Sequence, residues 1–412
     1  MIKKFFKWTF KIVLGIILLI ALTYGGFHLV EYTTGGKFVE YLEANSETIS
    51  IDESFTFDMM NDDIEASKII LVGEIHGFEA PQKFDLDFFK YLHQNHGVRT
   101  YVAELDFVQA QLMNDYMQSG DEDALYAILK NWIVVQGRRN IDYYDKYRQL
   151  QSFYQELPAD EKFRFIGIDQ IQDGKLFADY VDQLIPDSLP SAIPLSNDTT
   201  TSGKIAWLEL AFANSADTLA LLAHLGTSRA YTEGGTGREE IMFRNFENLY
   251  KLYDLNAERL YGYFGLFHVF QYRVNGRHPL ASKIRESDLG LEGRMLSINF
   301  LLNESFMVMP SRGLPEFMQT GPVNSKMPVS ADNMLFMYIY GVKDFKRMTP
   351  ENSQSLIKMN SEDSPYGNSN RMNTTIQILP VTDKMEMTDE GGPYVQYTVF
   401  VRNSDWAEPM EK

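Results

Sequence analysis

The chain of 412 residues contains no cysteine. This excludes disulfides, thiolate nucleophiles, cysteine-ligated zinc and a lipidated cysteine anchor. It also lacks a surplus of positive charge: 56 acidic residues stand against 38 basic ones, a formal charge of −18. No basic stripe is visible outside the extreme N terminus, so non-specific nucleic-acid binding, which needs one, is not expected. Two catalytic signatures are missing. There is no Gly-x-Ser-x-Gly elbow for a serine nucleophile and no His-Glu-x-x-His motif for a zinc protease. No internal repeat is evident. Apolar residues make up 44% and aromatics 13%, ample for the core of one large domain or two smaller ones.

The first eleven residues are basic (Lys3, Lys4, Lys7, Lys11), and an apolar run from Ile12 to Val30 follows. Its length suits one helix across a bilayer. The run reads as a retained single span rather than a cleaved signal peptide. The lysines then stay cytoplasmic and residues 31–412 lie outside the cytoplasm. Residues 31–64 read as a juxtamembrane segment, and 65–412 as the α/β domain, with a loop or insertion at 186–203 rich in Pro, Ser, Thr and Asp.

The domain is organised around Ile69-Ile70-Leu71-Val72-Gly73-Glu74-Ile75-His76-Gly77-Phe78-Glu79. Four apolar, mostly β-branched residues predict a strand buried on both faces. Glu74, His76 and Glu79 follow, at the carboxyl end where open α/β sheets bind ligands. The arrangement recurs. The strand-like runs 99–103, 163–168 and 260–267 lead into Glu104, Asp169 and His268. A shared site is the economical reading of four ionisable strand ends.

Helices are predicted over Pro81–His96, within Phe107–Leu157 and over Arg238–Tyr253, where Arg238, Met242 and Asn245 stack on one side. His93 and His96 could pair on a metal, although histidines in a last turn also favour the helix C terminus. Arg138-Arg139 sits in a polar break, and Gly234–Gly237 reads as a connection. Later strands are read at Leu296–Leu302, Leu335–Gly341 and Val395–Val401, and Thr349–Asn373 reads as loop. The fold class is therefore α/β: a mostly parallel central sheet flanked by helices, with additional late strands.

Histidine titrates near neutrality, so His76 can take a proton from water, with Glu74 or Glu104 orienting its ring. His268 can donate to a developing oxyanion. Those roles make a water-activating hydrolase without a covalent intermediate. The same groups read differently as a divalent-metal site of His76, His268 and Glu104, joined by Glu74 or Asp169. A third reading is a hydrogen-bonded network with a binding role only.

Gly73-Glu74-Ile75-His76-Gly77, with Glu104 and His268 after later strands, resembles the erythromycin-esterase-like group. Its wider superfamily includes haem-binding uptake lipoproteins and Tiki and TraB-type metalloproteases. Arg238-Glu239-x-x-Met242-x-x-Asn245 resembles that group's Arg-Asp-x-x-Met helix. Val395–Val401 with Pro409 resembles its C-terminal strand. The resemblance covers roughly residues 65–410. Two departures stand out. One residue separates Glu74 from His76 where the esterases have two, as in the haem-binding branch, and only the last histidine of a His-Asn-x-His segment is kept, as His268. The resemblance implies a small-molecule ester or related substrate, with His76 as base and Glu74 and Glu104 as its partners. His268 and Arg238 line the site, and Asp169 and Glu79 are further substrate-binding candidates. No resident cofactor is expected; haem or a divalent metal is the alternative, and with it a haem- or metal-binding module or a metal-dependent protease in place of the hydrolase.

Overall fold

The computed structural model describes residues 2–130, 140–184, 237–367, 369–378, 387 and 394–410. Arg138-Arg139, the 186–203 loop and residues 234–236 of the glycine-rich connection lie outside the described residues.

In chain order the strands are β1 (Ser46–Ser50), β2 (Ile69–Glu74), β3 (Thr100–Ala103), β4 (Arg164–Gly167), β5 (Leu260–Gly265), β6 (Met295–Asn303), β7 (Ser305–Pro310), β8 (Asn324–Val329), β9 (Asp332–Asn333), β10 (Met337–Ile339), β11 (Ser353–Lys358), β12 (Thr375–Ile376) and β13 (Tyr397–Arg402). Eight of them form one mixed sheet in the order β1-β11-β13-β6-β2-β5-β3-β4. The pairings from β13 to β4 are parallel; β1–β11 and β11–β13 are antiparallel.

β2 sits in the interior of the sheet with every residue buried. Successive side chains of a strand point to opposite faces. Ile70 and Val72 accordingly enter one core, and Ile69 and Leu71 the other. The first core is closed by α4 (Ala80–His96), α5 (Phe107–Ser119), α6 (Glu122–Lys130) and α7 (Ile141–Glu156); the second by α9 (Arg238–Leu252) and α10 (Leu280–Arg285). α8 (Gly174–Leu184) falls between α7 and α9 in the chain. α4 has Pro81 in its first turn and stops at Gly97, whose φ of 65° only glycine adopts at little cost.

The N-terminal expectation is overturned. α1 runs from Ile2 to Thr34, but among the described residues no helix is long and apolar enough to cross a membrane. The transmembrane anchor at 12–30, and the single-pass extracytoplasmic placement built on it, do not stand. The apolar run is broken by Thr23, Tyr24, Gly25 and Gly26, and its last turns belong to the domain. Phe27 packs on a third core built from α2 (Gly36–Ala44), α11 (Val342–Met348) and their neighbours. The buried Glu31 carboxylate accepts from the Gly341 amide at 2.8 Å and from the Tyr338 hydroxyl.

Residues 31–64, read as juxtamembrane, are woven into the same fold. β1 pairs with β11 from Ser46↔Ile357 to Ser50↔Ser353, and α3 (Asn61–Ala66) leads into β2. Thr349–Asn373, read as loop, contains β11, an interior strand. Its Ser353, Gln354 and Ser355 hide the alternation that marks a strand.

Candidate functional site

The site lies beyond the carboxyl ends of β2, β5, β3 and β4, which are neighbours in the sheet. β2 delivers Glu74, fully buried. Its Oε1 lies 2.7 Å from Nδ1 of His76, and the Tyr143 hydroxyl donates to the same oxygen. Oε2 accepts from Gln82 Nε2 at 2.6 Å and from Tyr263 Oη at 2.9 Å. Gln82 is on α4, Tyr143 on α7 and Tyr263 on β5. A carboxylate has the acceptor positions for four donors, so His76 donates from Nδ1 and its Nε2 is the ring nitrogen turned away from Glu74. Burial and then the Glu74 charge raise the Tyr263 phenol well above its usual value, which keeps it a donor.

β5 delivers the other imidazole. Two glycines make the approach possible. A Cβ on Gly73 would lie 2.3 Å from Val269, so the turn carrying His268 can rest on β2 only because Gly73 is bare. A Cβ on Gly265 would lie 3.1 Å from His76 Nε2 and 3.5 Å from His268 Cδ2. Both rings therefore flank one point above the end of β5.

His268 is buried. Its Nδ1 is 2.8 Å from Glu239 Oε1, an ion-pair contact whose angles fall short of a hydrogen bond. Its Nε2 is 3.7 Å from Glu104 Oε1 and 3.4 Å from Arg238 Nη1. Burial opposes the ring's positive charge, but Glu239 and Glu104 outweigh it, and the imidazole pKa is raised. Glu104 itself is held by the Gly265 amide at 2.7 Å and Arg238 Nη2 at 2.5 Å. Arg238 also grips both oxygens of Asp169, through Nε at 2.9 Å and Nη2 at 2.5 Å, a bidentate fork. Asn245, two turns along α9, donates to the Ile168 carbonyl at 2.9 Å and holds the Asp169 turn.

His76, Glu74, Glu104, His268, Arg238 and Asp169 are thus brought together. Glu79 is not. It is solvent-accessible at the start of α4, where partial desolvation of the carboxyl, then the charges of Asp142, Asp405 and Asp52, raise its pKa. His93 and His96 do not share a site either. His93 Nε2 bonds the Glu161 carbonyl at 2.8 Å, and His96 takes Glu65 and Asn61. For a metal at His76, His268 and Glu104, the carboxylate is already spent on Arg238 and the Gly265 amide. Among the described residues no group of three or more His, Asp and Glu is arranged to hold an ion.

Behind Glu74 lies a layer that the motifs do not signal. The buried Lys146 ammonium sits 2.6 Å from Asp85 and donates to Gln82 Oε1 at 2.9 Å, which fixes the amide's orientation toward Glu74. Asp85 also accepts from Tyr101 and Tyr261, at 2.7 and 2.6 Å. Breaking such a buried pair costs about 3–5 kcal/mol. The tyrosines were the available signal: Tyr101, Tyr261 and Tyr263 on fully buried strands need partners for their hydroxyls.

The C-terminal tail straps the site from outside. Ala407 N donates to the Gly77 carbonyl at 2.9 Å, and Glu79 N to the Asp405 carbonyl at 3.1 Å. Glu408 and Pro409 continue onto the start of α7, where Ile141 N meets the Glu408 carbonyl at 2.7 Å and Asn140 bridges Pro409. One segment therefore holds both the His76 turn and the helix that carries Tyr143.

This fold is shared with solved structures that include an erythromycin esterase. A Bacillus cereus protein whose name gives no function superposes with a TM-score of 0.65 at 14% identity, over 92% of this chain and 99% of that one. A succinoglycan biosynthesis protein follows at TM-score 0.57, 11% identity and the same coverage. A histidine-to-asparagine mutant of the erythromycin esterase EreC, in its open conformation, gives 0.53 at 13% identity over 87% and 98%. No family profile matches the chain, and no curated protein matches it in sequence.

Proposed function

We propose that the chain is an esterase-like hydrolase of a small molecule, in which His76 activates water directly and no covalent intermediate forms. The observation that carries this is the pairing at Gly265: His76 Nε2, with Glu74 on the other ring nitrogen, and the His268 ring flank one point above the end of β5. Water held there loses its proton to His76 Nε2, and the imidazolium is stabilised by Glu74. The substrate carbonyl turns its oxygen to His268, whose raised pKa favours the donor form as negative charge develops. Arg238 does not meet substrate as a free cation, because Asp169 and Glu104 occupy its fork; it fixes Glu104 and the approach of His268. Among the described residues no serine or threonine hydroxyl bonds either imidazole, which favours water as nucleophile. The esterase among the structural neighbours supports an ester or related bond.

His76→Ala tests the reading. Against a panel of small esters, kcat should fall by about 10²–10⁴, the usual contribution of a general base, with the circular dichroism spectrum unchanged. Activity equal to the parent would remove His76 from the base role.

A further inference from the structure

The opposite ends of the same strands carry a second feature. β6, β2, β5 and β3 are each preceded by a cation, Arg294, Lys68, Arg259 and Arg99, and β4 begins on Arg164. The register aligns them: Met295 lies beside Ile69, Ile69 beside Leu260, Leu260 beside Thr100, and Thr100 beside Arg164. Residues scattered over two hundred positions of sequence thus make one basic rim. The rim opens into a cleft of about 590 Å³ whose walls include Lys68, Arg99, Lys162, Arg164, Glu258 and Arg259. That volume suits a small ligand.

The walls divide into committed and uncommitted charges. Arg259 is spent on the Ser67 and His96 carbonyls, both at 3.1 Å, and on Glu65 at 3.2 Å. Arg164 is paired with Glu258 at 2.8 Å, whose second oxygen takes the Thr100 hydroxyl at 2.6 Å. The other three cations have no carboxylate among the described residues. Arg99 and Lys162 donate only to the Asp160 and Tyr154 carbonyls, Lys162 lying also over the Tyr154 ring at 4.3 Å, and the ammonium of half-buried Lys68 has no partner among those residues. Three uncompensated cations around one cleft repel each other, in a chain whose net charge is −18.

We propose that this cleft binds a small, multiply charged phosphate anion of the diphosphate type. Two lysines offer point charges and Arg99 a planar fork, the donors that phosphate oxygens take. Three positive charges match the charge of such a group. The cleft is separate from the imidazole site, since β2 from Lys68 to Glu74 spans about 20 Å at the rise of a strand.

Titration calorimetry of the full chain with inorganic pyrophosphate, in about 0.15 M salt so that exposed charges are screened, should show saturable binding at one site. The variant Lys68→Gln/Arg99→Gln/Lys162→Gln should weaken it about tenfold or more, the loss expected for charge-assisted contacts. A charge-matched control on exposed cations elsewhere, Lys37→Gln/Lys175→Gln/Arg277→Gln, should not. Absence of saturable binding, parental affinity in the cleft variant, or an equal loss in the control would each overturn the assignment. Should the cleft variant not fold, acetylation of the unaltered chain decides. Pyrophosphate should slow modification at Lys68 and Lys162 and leave Lys37 and Lys175 unaffected; equal rates at all four would count against the site.

Discussion

At the scale of single residues, the two imidazoles differ in what touches them. His76 has a carboxylate on one nitrogen and an opening on the other. His268 has Glu239 on one side and Glu104 near the other. Because its folded-state pKa is raised, the folded protein keeps this proton to higher pH than the unfolded chain. The stabilisation is complete below the ordinary histidine value, about 6.5, and is lost as pH rises through the raised value. A mechanism that uses cationic His268 therefore has an alkaline limb in kcat/KM, placed above that ordinary value. His268→Gln should lower the plateau and remove the limb. A limb unchanged in the variant would assign it to another group. Of these contacts, the Glu74–His76 pair could be read from two positions of sequence. Glu239 stands only as a position in the Arg238 helix motif, and nothing in that spacing sets its carboxylate against His268. Tyr143 and Gln82 could not be read there, because only the packing of α4 and α7 over the strand ends brings them to Glu74.

At the scale of elements, apolar period was a sufficient guide where one face or two faces are uniformly apolar, as in β2, β5 and α4. It failed for β1 and β11, whose hydroxyls bond each other across the ladder: Thr48 and Ser355 oxygens are 2.7 Å apart. The turn after β3 shows another element-level device. Asp106 caps α5, its Oδ1 accepting from Gln109 N at 2.9 Å and its Oδ2 from Gln172 N at 3.0 Å. Gly167 lets β4 lie against this turn, since a Cβ there would be 2.2 Å from the Asp106 carbonyl oxygen. Burial pushes the Asp106 carboxyl up to about 7, with Asp169 adding repulsion against the amides that stabilise it. A raised carboxyl pKa means that the protonated form is favoured on folding, so stability falls as pH rises through about 7. Asparagine caps as well as aspartate. Asparagine has one acceptor oxygen, however, and turns its amide donor to Gln172 N, so Asp106→Asn should lower Tm at both pH 8 and pH 5, but by less at pH 8; an equal shift at both would show that the charge is not the cause.

At the scale of the whole molecule, connectivity carries what no local stretch shows. The tail from Ser404 to Pro409 ties the His76 turn to α7, so a chain ending at Asn403 should lose about tenfold or more in kcat through misplaced groups, and its Tm should drop. Full activity in that truncation would reduce the strap to a surface decoration. The basic rim was equally invisible in the sequence, because its members are far apart and only the strand order aligns them. The strand axis is thus also an electrical axis: Lys68 and Arg99 precede β2 and β3 and Arg164 begins β4, while Glu74 ends β2 and Glu104 and Asp169 follow β3 and β4. At physiological salt the Debye length is about 8 Å, less than half the separation of the two poles. The charges of each end are therefore felt locally: Lys68 and Arg99 at one, without carboxylate partners among the described residues, and carboxylates already paired with Arg238 at the other.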